Sequence, residues 1–236
     1  SIPDVKNVGS WFSQPGAEEI TFILILDNPS LEIEYLVSFY TDKFSKLEII
    51  VVKGDFGNPG GARNAGLDFI KSDNVMFWDS DDTPMIPQIL AHLSFKSSKR
   101  LSMSIGGFQL KVDGRQDRSF VPTKILEVAC NPGIWRIVMS SDLIANVQFQ
   151  ELSMGEDQIF LSEVFLRAEI VELVPDVFYR YQYGFPGQLT STRNLKDLKG
   201  SIFAISKILI KADRSKKKYF VVEILLKQTI SLFLKG

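Results

Sequence analysis

Apolar residues in this chain come in short runs separated by polar, glycine-marked and proline-marked stretches, and the runs differ in period. Ile20 to Leu26 (ITFILIL) and Leu47 to Val52 (LEIIVV) have almost no polar interruption, the pattern of strands buried on both faces of a parallel sheet. Asp27, Asn28 and Pro29 stop the first run. Between the two, Leu31 to Phe44 places Leu31, Tyr35, Leu36 and Phe39 at helical spacing. A glycine-rich loop, Gly54 to Gly61, leads into a helix from Ala62 to about Lys71, and Val75 to Trp78 follows as a third, central strand. Two strand-loop-helix units ahead of that strand predict a parallel sheet with right-handed crossovers.

The second half changes character. After Pro84 the pattern predicts a helix to about Ser97, then a long strand from Leu101 to Val112. Asp113 and Gly114 are a hairpin signal, with Ser119 to Pro122 as the return strand, so antiparallel pairing enters the sheet. Trp135 to Met139 is apolar, Ser141 and Asp142 suit the cap of a short helix, and Phe149 reads as core. Gly155 to Ala168 places Ile159, Phe160, Val164 and Phe165 on one helical face, with Glu156 and Asp157 in the first turn, where the helix dipole favours negative charge. Ile170 to Tyr183 is a strand rich in aromatics. From Leu195 on the period is helical, with Phe220, Ile224, Leu225, Leu232 and Phe233 on a wide apolar face. Residues 1–19 have no sustained period and read as a poorly ordered or loosely docked lead-in.

Composition adds one asymmetry. From Leu195 the chain carries ten Lys/Arg against three Asp/Glu, a surplus of seven, and because the whole chain is at -1 the first 194 residues stand at -8. A basic appendage on an acidic body gives no general reason to expect nucleic acid. It does suit a helix lying on anionic lipid through 214–236, with packing on the body or on a twin subunit as the plainer expectation. A single cysteine, Cys130, excludes an internal disulfide and fits a reducing, cytoplasmic setting. No secretory leader is visible, and no apolar run approaches the ~20 residues that span a bilayer.

The chemistry concentrates in VMFWDSDDTP, residues 75–84. Asp79, Asp81 and Asp82 crowd the carboxyl end of the third strand, where carboxylates repel one another unless a cation offsets them. In open α/β sheets that strand end is also where ligands bind. Thr83 and Pro84 read as the cap and first position of the helix that follows.

The order of pieces resembles the family-2 glycosyltransferases of the GT-A fold. The pieces are the first two apolar strands, the glycine-rich loop with Ala62-Arg63-Asn64-Ala65-Gly66, the acidic strand end Asp79-Ser80-Asp81-Asp82, Trp135, and Gly155-Glu156-Asp157. The likeness covers roughly residues 20–190. It implies an α/β GT-A fold, a Rossmann-like mixed sheet flanked by helices with a C-terminal helical extension. The division that goes with it is 1–19 as lead-in, 20–194 as catalytic domain (20–100 for the nucleotide sugar, 101–194 for acceptor and catalysis) and 195–236 as basic helices.

By the same resemblance the donor is a nucleotide-diphospho-sugar, a UDP-sugar first among them. Mn2+ or Mg2+ would be held by Asp81, with Asp79 or Asp82 nearby, and the sugar would transfer with inversion. The acceptor is a hydroxyl of a glycan or a polyprenyl-diphosphate-linked saccharide, in bacterial polysaccharide biosynthesis at the inner face of the membrane. Asp157 matches the family's base and Glu156 orients it or the acceptor. Arg63 at a helix start reaches toward phosphates, Asn64 holds the loop or the nucleotide, and Trp135 lines the donor-sugar or acceptor pocket. Two positions depart from the family. The first strand ends Ile25-Leu26-Asp27-Asn28, keeping only the Asn, and the second ends in Lys53-Gly54, with Asp55 one place beyond the usual base-reading acids. Leu26, Asn28 and Asp55 are therefore the candidate nucleotide contacts there. Four apolar residues followed by Asp-x-Asp-x-Thr also fit the haloacid-dehalogenase phosphatases, with Asp79 as nucleophile. A nucleotide-sugar-binding relative without turnover is the third reading.

Overall fold

The computed structural model describes residues 2–95, 101–112, 115–152, 154–183, 195–211 and 217–233. The chain opens not with a loose lead-in but with a helix, α1 (Ile2–Trp11), whose Val8 and Trp11 are buried together with Phe12 and Ala17 just beyond it. Strand β1 (Thr21–Asp27), helix α2 (Leu31–Lys43) and strand β2 (Glu48–Gly54) follow where the pattern placed them. β1 and β2 pair in parallel along seven residues, from Thr21 with Glu48 to Asp27 with Gly54. Ser30 caps α2, its hydroxyl accepting the Ile33 N–H at 3.4 Å. The expected apolar face of α2 is overturned: Leu31, Tyr35 and Phe39 are exposed, and Val37 is the residue buried. α2 instead meets α1 where Gly9 leaves room for the Tyr40 ring, a place any Cβ would fill.

Helix α3 (Pro59–Leu67) starts earlier than expected, because Asn58 caps it, accepting the Gly61 N–H at 2.8 Å, and Pro59 has no N–H to lose at the first position. The third apolar run is the main correction. Only β3 (Asn74–Val75) is paired, and it runs antiparallel to β7 (Ile137–Ser140) rather than parallel to the first two strands. The rest of the run is held by alternating side chains. Phe77 meets Phe149 and Phe160 at 5.1 and 5.6 Å, whereas Trp78 meets Trp11 at 5.8 Å. Thr83 and Pro84 do not begin a helix. They form β4 (Thr83–Pro84), opposite Arg180 and Tyr179, and α4 (Ile86–Phe95) starts two residues later with Pro87 in its first turn.

β5 (Ser102–Val112) pairs antiparallel with β6 (Arg118–Phe120), as the hairpin pattern required; its Asp113-Gly114 tip lies outside the described residues. A short helix α5 (Ile125–Cys130), strand β7 (Ile137–Ser140), one turn α6 (Ser141–Ile144), helix α7 (Glu156–Arg167) and strand β8 (Ile170–Tyr183) complete the body. The order β3-β7-β5-β8-β4, with β6 on β5, mixes directions, β5 and β8 being the parallel pair. The core lies between this sheet and α5, α6 and α7, and α8 (Leu195–Lys211) and α9 (Lys218–Phe233) seal it with Ile205, Phe220, Val221 and Ile224. Of the α9 face expected to be apolar, Phe220, Ile224 and Leu225 turn inward, and the side chains of Leu232 and Phe233 lie outside the described residues; Phe165 and Phe220 stack at 3.9 Å. Lys227 and Arg136 donate to the Cys130 and Asn131 carbonyls, placing two cations at the negative end of α5.

Candidate active site

The site forms where three chain segments meet around one guanidinium. Arg63, on α3, reaches Asp79 at 2.9 Å with one nitrogen and Glu156 at 2.5 Å with another. Residues 63, 79 and 156 are far apart in sequence, so this double pair ties the acidic loop to the start of α7. Burial alone would make the guanidinium easier to deprotonate, but the Asp79, Glu156 and Asp157 carboxylates together hold its pKa above the ordinary arginine value. Arg63 also stands 5.5 Å from the Phe149 ring.

α3 is locked in place by its neighbours. Asn64 donates to the Phe149 carbonyl at 2.9 Å and accepts the Phe149 N–H at 2.8 Å, so both ends of its carboxamide are engaged by backbone. Of its two expected tasks, it performs the holding of a loop. Gly60 packs so close to the Gln150 carbonyl that a Cβ has no room.

The acidic loop is held from below by α1. Asn7 donates to the Ser80 carbonyl at 2.9 Å and the Asp82 carbonyl at 2.5 Å, and Trp11 donates its indole N–H to Asp82 at 3.1 Å. Gln14 donates to the Pro84 carbonyl at 2.9 Å and accepts the Ile86 N–H at 3.1 Å. Sequence reading missed these residues, and the only trace was a Trp-Phe pair at 11–12 inside a stretch without period.

The three acids differ in situation. Asp79 pairs with Arg63, and its N–H is hydrogen-bonded to the buried Tyr179 hydroxyl at 3.0 Å. Burial, followed by the Asp79 and Asp82 charges, raises the Tyr179 pKa well above its usual value. Asp82 is buried at 1% exposure and accepts the Gln182 N–H at 2.7 Å. Burial pushes its pKa up to about 8, with the Asp81 and Asp79 charges adding to the rise. Asp82 thus braces the loop from its buried side while still forming part of the cleft wall. Asp81 is half-buried on the cleft wall, and Gln182 donates to its carbonyl.

Among the described residues no three acidic, His or Cys side chains converge as a ligand set. Mg2+ and its like are commonly held by one or two carboxylates plus substrate phosphates, and Asp81 with Asp79 fits that mode.

Opposite the loop, Gly155 (φ 85°) turns the chain into α7, and Asp157 accepts the Gln158 N–H at 2.8 Å. Burial and the adjacent Glu156 carboxylate push the Asp157 pKa up to about 7, against the pull of Arg63. A carboxylate tuned toward neutral pH is suited to take a proton from a hydroxyl.

Arg63, Asp79, Asp81, Trp135, Glu156 and Asp157 all line one open cleft of about 1610 Å³, and Leu26 lies on its wall. Asn28 and Asp55 do not line it. They stand beyond the carboxyl ends of β1 and β2, where Asn28 (φ 44°) donates its N–H to the Gly54 carbonyl at 2.6 Å. Asp27, passed over as a strand stop, does line the cleft and accepts the Phe56 N–H at 2.7 Å. Trp135 stacks on Tyr179 and Tyr181 at 4.6 and 5.4 Å.

A mixed sheet flanked by helices, with the acidic loop 79–82 facing the acids at the start of α7, is an arrangement of the GT-A type. The sequence model described as glycosyl transferase family 2 matches residues 6–150, and the chain belongs to that family. No curated protein matches the chain.

Among solved structures, S. aureus TarS 1-349 in complex with UDP-GlcNAc is similar at 18% identity and a TM-score of 0.73, covering 98% of this chain and 70% of that one. The longer S. aureus TarS structure is spanned over 40% of its length, at 17% identity and a TM-score of 0.66. The mannosyltransferase PcManGT from Pyrobaculum calidifontis, in complex with GDP-Man and Mn2+, matches at 10% identity and a TM-score of 0.66, covering 100% of this chain and 73% of that one. At these identities the likeness is one of fold. Nothing in these comparisons supports the phosphatase reading.

Proposed function

We propose that this family-2 glycosyltransferase moves a sugar, with inversion at the anomeric carbon, from a nucleotide-diphospho-sugar to a hydroxyl of a glycan or lipid-linked saccharide. A UDP-sugar is the first donor to try, by likeness to the TarS complex with UDP-GlcNAc, and the PcManGT complex holds GDP-Man with Mn2+. One observation carries the reading: the double ion pair of Arg63 brings the acidic loop and the first turn of α7 to a single cleft.

A divalent cation, when bound, would be held by Asp81 and Asp79 and would offset the charge growing on the leaving diphosphate. Asp157 accepts the proton of the acceptor hydroxyl as that oxygen bonds to the anomeric carbon. The bond from that carbon to the diphosphate oxygen breaks with its electron pair, and attack from the opposite side inverts the centre. Glu156, fixed by Arg63, keeps the first turn of α7 aimed at the acceptor, and Arg63 offers N–H groups to phosphate oxygens. The setting that suits this chemistry is bacterial polysaccharide assembly at the cytoplasmic face of a membrane. Among the described residues no helix is long and apolar enough to cross one.

The test is a panel of nucleotide sugars with Mn2+, read by thermal stabilisation and by release of nucleoside diphosphate. Asp157→Asn should keep donor binding and lose transfer, whereas Asp81→Ala should weaken metal-dependent donor binding as well. Equal donor affinity in Asp81→Ala and wild type would remove the metal role from this loop.

A further inference from the structure

One face of the β6-β5-β8 sheet carries a row of aromatic rings that leads out of the cleft. Side chains two apart on a strand share a face, so Tyr179, Tyr181 and Tyr183 of β8 point the same way. The register sets Phe108 level with Tyr179, and Phe120 level with Phe108 on the next strand. The rings touch in sequence. Trp135 lies nearly parallel to Tyr179 (4.6 Å, 18°) and Tyr181 (5.4 Å, 5°), and Tyr181 meets Tyr183 at 6.4 Å. On the other side Trp135 meets Phe108 edge-on at 5.1 Å, and Phe108 stacks on Phe120 at 4.9 Å. The middle of the row, Trp135 and Tyr181, lines the cleft with Asp157. The far ends are open to solvent, Tyr183 at 52% and Phe120 at 41% exposure.

An exposed apolar ring alone is ordinary, but a contiguous row that continues from a reaction cleft is not. The flat face of an aromatic ring matches the C–H face of a pyranose, and a tyrosyl hydroxyl adds a hydrogen-bonding tip. The steps of the row, about 6.6 Å for two residues along a strand and about 4.8 Å between strands, are of the size of one sugar ring.

We propose that this row is an acceptor track. The saccharide unit whose hydroxyl meets Asp157 sits at Trp135, on the ring face turned away from Tyr179 and Tyr181, and the units behind it pass the edge of Tyr181 to the exposed Tyr183, with Phe120 at the flank. The acceptor is then a glycan chain of several units rather than a single sugar. The inference rests on the transferase reading above, but binding along the track is measurable without turnover.

The experiment uses an array of β-linked N-acetylglucosamine, glucose and mannose oligosaccharides of one to five units, with wild type, Tyr183→Ser, Phe120→Ser and the double variant. Wild type should bind a tetrasaccharide of one of these sugars at least tenfold more tightly than its monosaccharide, and the double variant should lose that gain. Both side chains are exposed, so the variants should keep the wild-type thermal shift with UDP-sugar and Mn2+, which shows that they are folded. Affinity independent of chain length, no binding at all, or full tetrasaccharide affinity in the double variant would overturn the track. A concentration-dependent dimer in light scattering that Tyr183→Ser dissociates would overturn it too, by assigning the face to a second copy of the chain. If wild type binds oligosaccharides by length yet shows no shift with any nucleotide sugar, the transferase reading fails and the track stands.

Discussion

Arg63 joins two carboxylates that sequence separates by 77 positions, and its side chain is only 19% exposed. Removing one member of a buried ion pair costs about 3–5 kcal/mol because the remaining charges are left uncompensated. Arg63→Met should therefore lower Tm by several degrees and abolish donor-induced stabilisation, as read by thermal shift with and without UDP-sugar and Mn2+. Asp157 carries a pH prediction. With its pKa pushed up to about 7, the base is protonated below neutrality, so kcat/KM should fall about tenfold per pH unit below pH 7 and level off above. A flat profile from pH 5 to 9 would remove Asp157 as base. Asp82 predicts a stability effect of a definite sign. Its folded pKa, about 8, lies above the unfolded value of 3.8, so the unfolded chain loses the proton first and wild type loses stability as pH rises through that window. Asp82→Asn should flatten the decline between pH 5 and 8 in urea unfolding, leaving the variant the more stable protein at pH 9 relative to its own value at pH 5.

Helix α1 is the element that makes the acidic loop a fixed object. Its Asn7 and Trp11 bind the loop carbonyls, and Trp11 packs edge-on against Trp78. Trp11→Phe keeps most of the packing and deletes one donor, and Asn7→Ala deletes two bonds. Both should raise the donor concentration at half-saturation and speed hydrogen exchange across residues 79–82, with kcat at saturation changed little. Val8→Ala, which loosens α1 without touching the loop, should lower Tm without the change in donor constant. Such a helix was not legible because its contribution is made by isolated side chains reaching backbone carbonyls some 70 residues away, which leaves no periodic trace. Elements whose own burial sets their pattern were legible: β1, β2, β5, β8 and α7 lie within about two residues of where apolar period placed them. What the period could not give was pairing. Val75 to Trp78 has the apolar run of a central strand, but Phe77 and Trp78 enter different cores and only Asn74 and Val75 join the ladder. Pro84 reads as a helix start by local rule, yet it lies opposite Tyr179 because the loop before it is already pinned by α1 and Arg63. For the site, the acids and Arg63 were visible as motifs. The inward turn of Asp82 and the commitment of Asn64 to Phe149 depend on contacts across the fold, which no motif encodes.

At the scale of the molecule, the basic C-terminal segment closes the core and also leaves a second face outward. α8 and α9 pack against each other. Ile210, Tyr219, Phe203, Leu226 and Ile230 are all more than half exposed, with Lys199 and Lys207 exposed alongside. If this face meets the membrane on which acceptors are assembled, the full chain should sediment with vesicles of anionic phospholipid at low salt and release at high salt. Phe203→Ser with Ile210→Ser should reduce that binding while leaving donor stabilisation unchanged. Retention equal to wild type would assign the face to another protein surface.

The two-sided cleft tied together by Arg63 is the centre of the account, and a crystal soaked with UDP and Mn2+ tests it most directly. The expected result is an anomalous manganese peak between the diphosphate and Asp81, with Arg63 on a phosphate oxygen and Asp157 facing the space where the donor's anomeric carbon would stand. Manganese and nucleotide bound away from Asp81, or a diphosphate separated from Asp157 by intact protein, would contradict it.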